Sequence, residues 1–457
     1  MLEFVVLGVF SAALIACIAL DASILYALLF GYALFFAYGL IRRKSVKELL
    51  QMSWGGVKSV KNILLTLLLV GMVTAVWRAS GTIAYIIYYA SKIIVPSVFP
   101  LIIFLLCALI SMLTGTALGT AAIVGVISMT IANAMGISPI LAGGAILSGS
   151  YLGDRCSPMS TSLLLVSELT GTDIYRNIKN LVRSAAVPFA AACLVYLALG
   201  LTKHVSDASE EIWNLFRKNF NLHFLVLLPA VLVLALCAFR VKVKLAIGAS
   251  ILAGCVLCLT VQKMDVATLF SALWGGFHAK DPALARVMDG GGVVSMLKVV
   301  AIVCISSCYA GIFDGTGMLA GIKRHIGRLG AKISPYGALV VTALVADMAA
   351  CNQTLGILLT HQLCCDMEED RERLAVNLAD TALVIAPLVP WSVAGATPLA
   401  TVGAPMVSIL AACYLYLLPL WGFIRGYAKW RKAGKSGAPE LVGADQGKEL
   451  DGTGGAK

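Results

Sequence analysis

Apolar runs of membrane-crossing length recur along this chain, at residues 4–20, 23–41, 62–77, 99–113 and 181–201. A bilayer core is filled by about 20 apolar residues of helix, and these runs lack the alternation that a membrane barrel strand carries. Of the 457 residues, 60% are hydrophobic and 13% charged, whereas soluble domains hold roughly 25% charged residues. So little charge could not cover a chain of this size in water. The sequence therefore predicts an all-α integral membrane protein with about 10–12 transmembrane helices.

The formal net charge of +11 gathers between and after the apolar runs. It reads as orientation and contact with lipid headgroups, and not as a nucleic-acid surface. Arg42, Arg43, Lys44, Lys47, Lys58 and Lys61 outweigh Glu48 and assign residues 42–61 to the cytoplasm. Lys429, Arg431, Lys432 and Lys435 do the same for the C-terminal end, in a multi-pass protein of the cytoplasmic (inner) membrane. Met1-Leu2-Glu3 leads into the first apolar run without a basic region, so that run is expected to stay. The 13 cysteines read as small hydrophobes, and the five histidines, mostly in loops, make no soft-metal site.

One stretch interrupts the apolar pattern, Gly149-Ser150-Tyr151-Leu152-Gly153-Asp154-Arg155-Cys156-Ser157-Pro158-Met159-Ser160-Thr161. Ionisable groups at membrane depth are costly and face a cavity or a partner. An opened helix there is tolerated only where protein or water satisfies its backbone. Aspartate, serine and threonine oxygens at such a break suit an ion or substrate near the bilayer midplane.

The second half echoes the first. Trp54-Gly55-Gly56 returns as Trp274-Gly275-Gly276, and Ser80-Gly81 as Thr316-Gly317. Thr116-Ala117-Leu118-Gly119 lies opposite Asn352-Gln353-Thr354-Leu355, and Leu152-Gly153-Asp154 opposite Leu378-Ala379-Asp380. Equivalent loops carry opposite charge bias, the 323–332 loop (Lys323, Arg324, His325, Arg328, Lys332) being basic where its counterpart holds only Lys92. Opposite bias predicts two inverted-topology repeats with broken or re-entrant helices. The expected halves are 1–203 and 222–430, joined by a polar connector at 204–221, with a Gly-rich disordered tail at 431–457. Asp21 reads as an interfacial turn, and Glu168 and Asp173 as helix-end residues. Arg78 and Asp314 read either as partners across the repeat or as solvent-facing groups at two breaks. Asp347, Asn352, Gln353 and Thr354 form a second polar group, and Asp380-Thr381 leads into a run opened by Pro387 and Pro390.

These residues carry a family resemblance. Gly153-Asp154-Arg155-Cys156-Ser157-Pro158-Met159-Ser160 resembles the Gly-Asp-Lys/Arg-x-Ser-Pro-x-Ser motif of the NhaC family of Na⁺/H⁺ antiporters. Leu378-Ala379-Asp380-Thr381 through Pro387-Leu388-Val389-Pro390-Trp391-Ser392 is similar to that family's second motif. The resemblance implies secondary antiport, with Na⁺ or Li⁺ and H⁺ as coupling ions and no resident cofactor. It also implies binding by Asp154, Asp380, Arg155, Ser157, Ser160, Thr161, Asn352, Gln353, Thr381 and Ser392, with the two aspartates as Na⁺ ligands. The chain departs from the motif at Thr161, Asn352, Ala379 and Ser392, where the family carries Asp, Asp, Glu and Asn.

The alternative on the same fold is an exchanger or symporter of a small organic acid or amino acid, as in relatives that exchange malate for lactate. There Arg155 would meet a substrate carboxylate. A third reading, an intramembrane aspartyl protease, needs two carboxylates sharing a proton. No enzyme activity is expected, no Walker motif supports ATP-driven transport, and a homodimer is compatible with all of these. Restoring the family's acids with Thr161→Asp and Asn352→Asp is expected to strengthen the Na⁺ dependence of transport, measured in proteoliposomes. No gain in either inserted variant would turn the reading towards an organic solute.

Overall fold

The computed structural model describes residues 2–19, 24–93, 95–201, 216–239, 241, 243–316, 334–350 and 352–432. Asp21, Gly317, residues 202–215 of the connector region, the basic loop at 323–332 and the tail beyond 432 lie outside them. The loop charges that set the direction of the repeat fall in the same gap, so the inverted relation remains an expectation. The described residues are helical throughout, with one isolated antiparallel bridge between Phe277 and Gly290.

Among the described residues four helices are long and apolar enough to cross a membrane, or six if each of two bent pairs counts as one span. Shorter apolar helices of 10–17 residues account for the difference from the about 10–12 expected. Phe99–Thr114 and Ile174–Leu201 turn apolar side chains outward, among them Leu109, Leu113, Val187 and Leu194. Acyl chains are the natural cover for such a face.

Helices Leu2–Ala19 and Ile24–Ile41 pair and lie near Gly292–Thr316. The amphipathic helix Val46–Ser59 starts at a capping box. The Ser45 hydroxyl accepts from the Glu48 N–H, and the Glu48 carboxylate accepts from the Ser45 N–H at 2.8 Å. Its Gly56 meets the Ser307 carbonyl, and Gly311 returns the contact against Met52. The Trp-Gly-Gly repeat therefore marks a close helix crossing at its first copy. Lys61–Ala79 and Thr82–Ile93 meet at Ser80-Gly81 with a bend of 65° between their apolar parts. Arg78 is not solvent-facing. Its guanidinium donates to the carbonyls of Met288 (3.0 Å) and Asp289 (2.5 Å), because a cation buried there needs acceptors and backbone supplies them. The Asp314 side chain lies outside the described set.

The most extensive packing joins Phe99–Thr114 to Pro139–Arg155. Gly149 faces the Phe104 carbonyl, and Gly153, one turn on, faces the Ala108 carbonyl. A side chain at either would enter the neighbouring backbone, so the pair crosses in the small-residue manner of membrane helices. The Ser111 hydroxyl donates to the Ser150 carbonyl at 2.5 Å and ties the crossing. On the other side, the Tyr196 hydroxyl meets Ser148 Oγ (2.8 Å) and the Ala411 carbonyl (2.9 Å) and accepts from the Cys413 N–H. Cys255 and Cys258 form a Cys-x-x-Cys pair of free thiols, one partly buried and one buried, on the apolar helix Val243–Thr260.

Replacing Gly149 or Gly153 with Leu is expected to destabilise the protein by about 1–3 kcal/mol or more, the cost of overpacking. A lowered thermal transition of the detergent-solubilised protein checks this, with Gly248→Ala, helical and in open space, as the control.

Candidate transport site

Helix breaks converge in the interior. Phe99–Thr114 ends at Gly115, which adopts the left-handed conformation (φ +67°) and lies against the Met159 backbone. The first break, around Gly115, therefore abuts the second, at residues 156–160. Each break restarts a helix with a side-chain cap. Thr116 accepts from the Gly119 N–H, Ser160 from Leu163, Asn352 from Thr354 and Ser392 from Ala394. A half-helix start leaves backbone N–H groups unsatisfied, and a hydroxyl or amide oxygen meets one of them. Three residues read from sequence as ligands, Ser160, Asn352 and Ser392, thus first serve to end the breaks.

Asp154, at the end of Pro139–Arg155, is buried, and the Ser160 hydroxyl reaches its carboxylate. Ser157 is buried too, its oxygen accepting from the Met159 N–H at 3.3 Å. The neighbouring Arg155, 0% exposed, turns to Asp380 instead of Asp154. Its Nη2 donates to Asp380 Oδ1 and to Ser184 Oγ (2.7 Å), and its Nη1 to the Leu181 carbonyl (3.3 Å) and Tyr414 hydroxyl (3.4 Å). The Ser184 hydroxyl also donates to Asp380 at 3.3 Å. This is a buried, multiply hydrogen-bonded ion pair joining the two sequence motifs. Arg155 meets the protein's own carboxylate, so it is not free for a substrate anion. The same geometry disfavours the protease reading, since Asp380 is tied to a guanidinium and not to a second acid.

The remaining predicted residues divide. Gln353 accepts from Ser162 Oγ (3.1 Å) and donates to the Leu383 carbonyl (3.0 Å), stitching together helices that restart at three breaks. Thr381, at a kink, donates to the Asn377 carbonyl at 2.7 Å. Thr161 is exposed on the first turn of its helix and is not gathered in with Asp154. Asp173 accepts from the Arg176 N–H at 2.9 Å, the helix-end role expected of it. Among the described residues no group of three His, Cys, Asp or Glu side chains could hold a metal ion.

Sequence reading passed over Ser184 and Tyr414, which complete the Arg155 cage from apolar helices without local signal. It also passed over Tyr151, which lies in the central stretch and donates to the Ala394 carbonyl at 2.8 Å.

A cavity of about 780 Å³ runs from the surface to this pair. Asp366, Glu368, Arg183, Arg373 and Arg425 line it, and Ser184 and Asp380 lie along its wall. At its rim Arg176 and Glu372 pair at 2.8 Å. Broken helices, caps at each restart and a polar cavity reaching buried ionisable groups define a membrane transporter of the secondary type.

The sequence comparisons carry this to a family. A family model for the Na⁺/H⁺ antiporter family matches residues 2–168 and 149–430. The chain belongs to that family. It is 27% identical to the malate-2H⁺/Na⁺-lactate antiporter of Bacillus subtilis over 93% of each chain. It is 28% identical to the Na⁺/H⁺ antiporter NhaC of Alkalihalophilus pseudofirmus, over 79% of this chain and 80% of that protein. The arginine/ornithine antiporter ArcD of Halobacterium salinarum is 27% identical, over 80% of this chain and 78% of its own.

Removing one member of a buried ion pair strands the other and costs about 3–5 kcal/mol. Asp380→Asn is therefore expected to lower the thermal transition sharply. The double variant Arg155→Met with Asp380→Leu is expected to recover most of the loss, as read by thermal unfolding in detergent.

Proposed function

We propose that this protein is an antiporter exchanging a monovalent cation, Na⁺ or Li⁺, for protons across the cytoplasmic membrane. Asp154 is the residue to which both bind. The observation that carries this is the unequal treatment of the two motif aspartates. Arg155 neutralises Asp380, whereas Asp154 is buried beside the Ser160 hydroxyl with no Lys or Arg bonded to it among the described residues. Hard cations take carboxylate, carbonyl and hydroxyl oxygens, and the break at residues 156–160 brings the Ser160 hydroxyl to Asp154. Asp380 then holds Arg155 and the two motifs together instead of binding the ion. Family membership and the NhaC relatives support the cation/proton reading.

Proton and cation compete for one carboxylate, so alternating exposure of that site gives exchange without a separate proton path. The cavity lies beside Arg425, close to the basic C-terminal end. With that end in the cytoplasm, this conformation faces inward. A second reading, a small organic acid or amino acid as solute, has its own support. The cavity is far larger than a bare ion needs and mixes arginines with acids, and two relatives are named for organic solutes.

Purified protein in proteoliposomes with an internal pH dye, challenged with Na⁺, Li⁺, K⁺, carboxylates and amino acids, tests both. Na⁺ or Li⁺ is expected to move protons, with apparent cation affinity falling about tenfold per pH unit where one proton competes. Asp154→Asn keeps the shape, cannot release a proton, and is expected to abolish exchange. Exchange with an unchanged pH profile in that variant would refute the assignment, and proton movement only with organic anions would favour the second reading.

A further inference from the structure

A groove of about 480 Å³ lies on the outside of the helix bundle, between Phe99–Thr114, the end of Pro139–Arg155 and Ile174–Leu201. Leu109 and Met112 form one wall and Val182 and Ala186 the other, with Gly153 and Cys156 as a buried floor. It opens there because Gly153 has no side chain and Ala186 a short one. Among the described residues no charged side chain lines it, and its volume is that of a ligand site, about 300–1,000 Å³, and not of a packing defect. Ile174–Leu201 runs past the groove and changes chemistry. Residues three, four and seven apart share a helix face, so Val182, Ala186 and Phe189 share theirs with Tyr175 and Lys179. Both are exposed, and among the described residues neither has a hydrogen-bond or ion-pair partner. The other charges at this end are engaged. Arg176 pairs with Glu372, Asp173 accepts from the Arg176 N–H, and Arg183 lines the polar cavity.

We infer that the groove binds one phospholipid with an anionic headgroup, its phosphate at Lys179 and the Tyr175 hydroxyl and one acyl chain laid over Gly153 and Cys156. From Lys179 to Phe189 the face runs about 15 Å. That is half of a hydrocarbon core about 30 Å thick, so a chain from a single leaflet fills it. Arg176, Lys179 and Arg183 assign this end to the cytoplasmic side, where anionic lipids gather and a lysine near the surface attracts them. A second copy of this chain is the poorer occupant. Two copies meeting symmetrically over the groove bring the same cations together, whereas a phosphate is drawn to them. The floor gives the lipid a bearing on the site. Cys156 Sγ accepts from Arg155 Nη1 at 3.7 Å, and Gly153 directly precedes Asp154. A seated chain therefore backs the break that carries Asp154 and Arg155, whichever solute is exchanged.

The test titrates the full chain in detergent with phosphatidylglycerol, or with phosphatidylcholine of the same acyl chains, and follows the thermal transition. Phosphatidylglycerol is expected to raise the transition by a few degrees and to saturate, and phosphatidylcholine to do much less, because binding to the folded state alone stabilises it. Ala186→Phe fills the groove and Lys179→Gln removes the cation at its mouth, and each is expected to lose most of the gain. Val187→Phe, exposed beside the groove but outside its lining, is expected to keep it. Equal shifts from the two lipids, a full gain in both groove variants, or loss of the gain in Val187→Phe as well overturns the site. So does the same gain from inorganic phosphate alone, which assigns the cation to a free anion. A gain that appears only as the protein dimerises, read by light scattering, assigns the groove to a second copy and also overturns it. Should Ala186→Phe fail to fold, Lys179→Gln decides alone, since its side chain is exposed, and an undiminished gain there overturns the site.

Discussion

The interior of this protein depends on the ion pair between Arg155 and Asp380. Two groups that the bilayer would each exclude are buried together at the end of the polar cavity, and each offsets the other's charge. The surrounding acceptors, Leu181, Ser184 and Tyr414, take further bonds from the two terminal guanidinium nitrogens. The pair also has a topological effect. It bonds the end of one broken helix, at Arg155, to the end of another, at Asp380, so the two breaks are fixed relative to each other before any ion arrives.

That arrangement explains why one chain carries several acids at depth with different fates. A carboxylate with an arginine is structural cement. One lies beside hydroxyls that also turn and cap the break. One has no hydrogen-bond partner among the described residues. Chemical type does not distinguish Asp380, Asp154 and Asp347, but their surroundings do. The missing acids of the family motif at Thr161 and Asn352 fit the same picture. Thr161 faces outward, and Asn352 has the separate task of capping a helix.

How much of this could be read from the chain follows from the range of the interactions. The breaks were legible, because Gly115, Pro158, Pro387 and Pro390 with hydroxyl neighbours cannot continue an apolar helix. The restarts left a trace too, since each takes a short polar cap, as Thr116, Ser160, Asn352 and Ser392 show. The partner of Arg155 was not legible, because it lies 225 positions away and packing alone chooses it. The role of Ser160 and Ser392 was only half legible. A hydroxyl in a break reads equally as ligand or cap until the helix start is known. Asp347 was visible as a polar residue near a break, but its isolation is a property of neighbours that carry no polar signal.

The crossing at Gly149 and Gly153 has a mechanical consequence. Backbone rests on backbone there, so the two helices have no side-chain layer to shear, and the Ser111 bond adds a direction. Phe99–Thr114 and Pro139–Arg155 must travel as a single rigid blade, carrying Asp154 with them. Elsewhere side chains make the contact, as at the seam that Gln353 holds with two hydrogen bonds. A single side chain holds that seam, so its loss would loosen three helix starts at once, whereas the Gly149–Gly153 crossing has no side chain to lose.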